Sequence, residues 1–166
     1  MRNHLHEILT ALVGRHVRFI VCGGVALVLH GIERMTLDID LSVDFERDNL
    51  KRFLEVMTEL NLVPRVPVPA ETLLDEEKRA IMIEQKHALV FTFLDTGNPY
   101  RQVDVFLTEK NRFENLIDDT VEADIGGAVI KVVSVGKLIE MKESVNPPRD
   151  KDAFDIDALK KLEGGR

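Results

Sequence analysis

The chain has 166 residues, 45% hydrophobic and 31% charged, which is enough apolar mass for a buried core and suits one compact unit spanning residues 1–166. A formal charge of -7 and a pI near 5.3 exclude a broad basic surface for gripping nucleic acid and leave only a local basic cleft for an anionic ligand. The single cysteine, Cys22, excludes an intramolecular disulfide and a cysteine-held zinc, which points to a reducing cytoplasm.

Leu5, Ile8, Leu9 and Leu12 recur at helical spacing and predict an amphipathic helix over 3–14. Val17 to Cys22 reads as a buried strand. The apolar run from Phe19 to Leu29 is too short to span a bilayer and follows a helix-like segment containing Glu7, so neither a membrane span nor a signal peptide is expected. Gly23 and Gly24 break the strand, and Val25 to His30 form a short helix ended by Gly31. A strand from Leu37 to Val43 comes next, then a helix with Asp48 as its N-cap running to Leu60. The proline-punctuated segment from Val63 to Glu71 reads as a connection, and Glu71 to Gln85 as a charged helix. Ala88 to Leu94 and Tyr100 to Leu107 predict antiparallel strands joined through DTGNP, a turn-rich sequence. A short helix in NRFENLID precedes a hairpin turning at Gly126 and Gly127. Ser134 is placed to cap a helix from Val135 to Ser144, which Asn146, Pro147 and Pro148 end, and a last helix runs from Asp150 to Leu162. The order is α/β (α+β): one twisted mixed sheet flanked by helices, with 134–166 a C-terminal helical portion.

The strand from Leu37 to Val43 carries an anomaly, because aspartate is a poor strand former. Side chains two apart share a face, so Asp38, Asp40, Ser42 and Asp44 form one row and Leu37, Ile39, Leu41 and Val43 the other. A half-solvated strand with its polar row outward accounts for this pattern alone. Yet carboxylates about 7 Å apart repel by about 2 kcal/mol at an effective dielectric near 20. A cation between them removes that cost, and hard carboxylate oxygens on a rigid strand suit magnesium. Gly23 and Gly24 add a second signal. A glycine pair between strand and helix either makes a tight turn or lets backbone N–H groups approach a phosphate. Together the two features describe a nucleoside triphosphate with its metal. Such a site needs a third carboxylate. In YRQVDVFL, Asp104 is flanked by Val103 and Val105; the competing Asp95 begins a turn, where aspartate is ordinary.

The stretch CGGVALVLHGIERMTLDIDL, followed later by VDVFL, resembles the DNA polymerase β-like nucleotidyltransferase superfamily, and the ending VVSVGKLIEMKES with RDKDAFDIDAL resembles its bacterial branch of AbiEii-type toxins. Leu138, Ile139 and Lys142 fit one helix of that ending, and Arg149, Lys151, Asp152 and Asp155 the other. The resemblance spans Val21 to Leu159. It implies a nucleotidyltransferase-like fold and a Mg- or Mn-dependent enzyme that moves a nucleoside monophosphate onto an acceptor hydroxyl and releases pyrophosphate. Asp38, Asp40 and Asp104 would hold the metal and carry the chemistry, with Gly23 and Gly24 cradling the triphosphate. Many members carry serine where Gly24 stands, which leaves backbone amides to do that work. The resemblance also implies an acceptor among tRNA, protein and small molecules, and an antitoxin partner. Arg34 and Lys142 are expected phosphate contacts, with surface pairing and a solvated helix position as their competing readings. Arg149 and Lys151 are weaker candidates. Asp150, Asp152 and Asp155 read first as charges complementing a helix dipole. The alternative reading is a catalytically silent nucleotide-binding or protein-interaction module; the intact Asp38, Asp40 and Asp104 argue against it.

Overall fold

The structure, a computed structural model, describes residues 3–165; Met1, Arg2 and Arg166, at the ends of the expected 1–166 unit, lie outside the described residues. Helix α1 (His4–Gly14) starts where the Asn3 side chain accepts the Leu5 N–H at 3.1 Å, and it buries Ile8, Leu9 and Leu12. Strand β1 (Phe19–Cys22) is buried throughout, and helix α2 (Gly23–Leu29) begins at the glycine pair itself. Then follow β2 (Asp38–Val43), α3 (Arg47–Glu59), β3 (Val63–Pro64), α4 (Glu76–Lys86), β4 (Val90–Asp95) and β5 (Asn98–Phe106). The chain closes with α5 (Phe113–Leu116), the hairpin β6 (Thr120–Asp124) and β7 (Val129–Val133), and helices α6 (Val135–Glu143) and α7 (Asp150–Gly164).

The strands form one mixed sheet in the order β3-β4-β5-β2-β1-β7-β6. The pairs β2/β5 and β1/β7 are parallel and the others antiparallel. Period-two alternation gives the sheet its two faces. Ile39, Leu41, Val103 and Val105 are fully buried on one face, where Phe53 of α3 meets Phe93 of β4 edge-on at 5.7 Å between ring centroids. Burying each such side chain contributes about 1.5–3 kcal/mol. The opposite face carries Asp38, Asp40 and Ser42, and α2 starts directly over it.

Several boundaries differ from the sequence expectation for physical reasons. Glu46, not Asp48, caps α3, because its longer side chain reaches the N–H groups of both Asp48 and Asn49, at 3.1 and 2.9 Å. The expected helix from Glu71 to Gln85 is split: a separate turn, Ala70–Leu74, precedes α4, and Asp75 between them is extended and caps α4 by accepting the Lys78 N–H. Part of the proline-rich connection becomes β3, an edge strand, where a missing N–H is tolerated. Ser134 does cap α6, accepting the Lys137 N–H at 3.2 Å.

Candidate active site

The parallel pairing of β2 with β5 makes the site. Asp40 stands opposite Asp104, and Asp38 opposite Gln102. Two carboxylates from distant parts of the chain thus lie side by side on neighbouring strands. Burial, then Asp104 and Asp38, push the Asp40 carboxyl up to about 7 against the pull of Lys142. Burial and Asp104 also raise Asp38, which Arg65 and Lys151 oppose. The competing Asp95 is occupied elsewhere: it accepts the Gly97 N–H at 2.8 Å within its turn and pairs with Arg101 at 3.2 Å.

Cys22, the last residue of β1, is the register partner of Asp40, so the chain turns into α2 immediately above that carboxylate. Gly23 is required twice over. Its φ is +61°, and a Cβ there would stand 1.9 Å from Asp40 Oδ2. Gly24 has no such conformational demand, but a Cβ on it would meet Thr36 Oγ1 at 2.6 Å, so the space over this turn is filled by a hydroxyl from the loop ahead of β2. Burial and Asp40 raise the Cys22 thiol far above its ordinary value, which makes it a packing group rather than a nucleophile.

A cavity of about 820 Å³ opens over these residues. Gly23, Gly24, Asp38, Asp40 and Asp104 line it, and so do Arg34 and Lys142. The residues expected from sequence to hold metal and nucleotide therefore meet at one place, with Arg149 and Lys151 beside them. The basic groups are not free, however. Lys142 contacts Asp155 at 2.9 Å and Asp152 at 3.3 Å, Arg34 pairs with Asp155, and Arg149 binds Asp152 at 2.7 Å. Asp152 and Asp155 are each only 1% exposed, so their role goes beyond complementing a helix dipole: they are buried counter-ions. Arg149 and Lys142 hold Asp152 down to about 2. Three cations against two carboxylates leave a surplus of positive charge beside the aspartate row.

Among the described residues no group of three or more His, Cys, Asp or Glu side chains is drawn into a ready-made cation cage. The donors still suit one: Asp38, Asp40 and Asp104 present only hard oxygens, and beside burial, which raises Asp40 most, their mutual repulsion is what a divalent ion relieves.

A family model described as "Nucleotidyl transferase AbiEii toxin, Type IV TA system" matches residues 7–165. The chain belongs to this AbiEii nucleotidyltransferase family. A search of curated proteins finds no match. Among solved structures, the lincosamide antibiotic adenylyltransferase LnuA, lincomycin-bound, is similar at a TM-score of 0.65 and 17% identity, covering 98% of each chain. ANT(2")-Ia in complex with adenylyl-2"-tobramycin is similar at 0.59 and 16%, covering 96% of this chain and 91% of that one. At such identities the likeness establishes the fold. Among the described residues of this AbiEii-family chain, no helix is long and apolar enough to cross a membrane.

Two further sets of residues at the candidate site lie outside what the sequence singled out. Thr36 over Gly24 carries no sequence signal, since its position depends on how the loop folds back. Gln102 was legible in principle, because it precedes Asp104 by two residues on the same strand face. Thr92, which donates to Asp104 at 2.6 Å, becomes a neighbour only through strand pairing.

Proposed function

We propose that this chain transfers a nucleoside monophosphate from a nucleoside triphosphate to an acceptor hydroxyl, releasing pyrophosphate. The observation that carries this reading is the facing pair Asp40 and Asp104, set beneath a glycine turn and beside Arg34, Lys142, Arg149 and Lys151 in one cavity. The cations would receive the triphosphate, and the backbone at Gly23 and Gly24, both of which line the cavity, would face its oxygens. Asp38, Asp40 and Asp104 would hold magnesium or manganese, which when bound polarises the phosphoryl oxygens and lowers the pKa of the acceptor hydroxyl. Asp104 accepts the hydroxyl proton. The acceptor oxygen forms its bond to the α-phosphorus as the bond to pyrophosphate breaks, and the departing charge is met by the basic cluster. Because the cavity is lined from both the sheet and the segment after Ser134, residues 1–166 would act as one unit.

The relatives described as adenylyltransferase or bound to an adenylyl product support adenylate as the first group to test, with small hydroxyl-bearing molecules among the acceptors. The family description supports a toxin with an antitoxin partner; the cytoplasm as its compartment and tRNA or protein as further acceptors are part of the same proposal. The test is incubation with each α-labelled nucleoside triphosphate, magnesium, and separate panels of tRNA, fractionated protein and small hydroxylated compounds. Label should enter one panel with wild type and not with Asp104→Asn. Absence of label from every panel, with nucleotide binding intact, would favour the silent module instead.

A further inference from the structure

Asp104 is held by a closed ring of hydrogen bonds. Thr92, its register partner on β4, donates from Oγ1 to Asp104 Oδ1 at 2.6 Å. Gln102 donates from Nε2 to the same oxygen at 3.3 Å. An amide can present either end to a carboxylate, but here Arg65 donates to Gln102 Oε1 at 2.6 Å, and a guanidinium only donates. The amide oxygen must therefore face Arg65 and the NH₂ must face Asp104. Arg65 is fixed in turn by its own backbone N–H, which donates to Thr92 O at 2.9 Å and closes the ring. Thr92 and Gln102 are both buried. Arg65 directly follows β3, the short edge strand, which is what brings it to this place.

We propose that Thr92 and Gln102 are positioning residues for Asp104, fixing Oδ1 with neutral donors and leaving Oδ2 available to a proton or a cation. The bond to Oδ2 from Gln102 is long, at 3.5 Å, and correspondingly weak. The chemistry favours such an arrangement. A guanidinium bonded directly to Asp104 would compete with any cation and weaken the carboxylate as a base, whereas the intervening amide keeps the charge of Arg65 one step away and still locks the geometry. This inference rests on the proposed role of Asp104.

The test compares Thr92→Val, which keeps the branched shape and removes the hydroxyl, with Thr92→Ser, which keeps the hydroxyl, and with Gln102→Met as an independent break in the ring. Thr92→Val and Gln102→Met are expected to lower kcat about 10- to 100-fold, the usual cost of losing a partner that orients a metal ligand, with KM for the triphosphate little changed. Thr92→Ser should recover most of the rate. A lowered Tm with unchanged kcat, or equal behaviour of the Val and Ser proteins, would overturn the proposal. Binding of manganese in the presence of triphosphate, followed by electron paramagnetic resonance with Asp104→Asn as reference, gives a readout independent of any acceptor. Weaker manganese binding in Asp104→Asn and in Thr92→Val is expected. If Asp104→Asn binds less manganese and Thr92→Val binds as wild type does, the ring is only structural and the role of Asp104 survives. If Asp104→Asn itself binds as wild type does, the role assigned to Asp104 fails and the positioning proposal fails with it.

Discussion

Asp40, proposed to hold the metal, is costly to the fold that carries it. Its folded-state value of about 7 lies above its ordinary 3.8, so between those values the folded protein carries a proton that the unfolded chain has released. In the absence of a divalent ion this contribution to stability is therefore largest below the lower value, and it is lost as pH rises through about 7. Asp40→Asn, which cannot ionise, should raise Tm by several degrees at about pH 8, with the gain shrinking toward about pH 5. Thermal melts across that range check the sign, and a gain independent of pH would contradict it. Gly23 is the complementary case. Gly23→Ala places a methyl group on Asp40 Oδ2 and forces a left-handed conformation on a residue that resists it. Strain of about 1–3 kcal/mol is expected, together with displacement of Asp40. Denaturant titration measures the first, and loss of nucleotide binding the second.

At the scale of elements, α7 is attached to the site by charge as much as by packing. Asp155 lies between Lys142 of α6 and Arg34 of the loop ahead of β2, so the last helix, the sixth helix and that loop share one electrostatic joint. Asp155→Asn leaves the partly buried Arg34 and Lys142 without their full complement, an imbalance that costs on the order of 3 kcal/mol. The expected result is a lower urea midpoint at unchanged m-value, together with weaker triphosphate binding because Arg34 and Lys142 lose their orientation. An Asp155→Asn protein of wild-type stability would mean that α7 is held by Leu159 and its other apolar contacts alone. The pairing of β2 with β5 matters in the same way. A one-residue slip would turn either Asp40 or Asp104 into the apolar face, and the buried Ile39, Leu41, Val103 and Val105 prevent it.

For the molecule as a whole, the site should be visible through global stability. Magnesium with a non-hydrolysable nucleoside triphosphate is expected to raise Tm, by about 2.7 kcal/mol of stabilisation at a hundredfold excess over Kd, and the shift should vanish in the Asp38→Ala, Asp40→Ala double variant. Differential scanning calorimetry decides it. Local sequence was sufficient to single out most residues that line the candidate site. The alternation from Leu37 to Val43 set Asp38 and Asp40 on one face, the glycine pair marked a strand end, and the apolar neighbours of Asp104 placed it in a strand, because periodicity and backbone permissiveness are properties of a short segment. The same local patterns gave most of the elements but misplaced the start of α3 and missed β3, since caps and edge strands depend on which side chain reaches a free group. Only the tertiary structure decided that Asp40 faces Asp104, that Asp152 and Asp155 are buried counter-ions beyond complementing a helix dipole, and that Thr92, Gln102 and Arg65 close around the third carboxylate. Those relations join segments far apart in the chain, and what brings them together is the packing of the apolar sheet face, whose register no single segment contains.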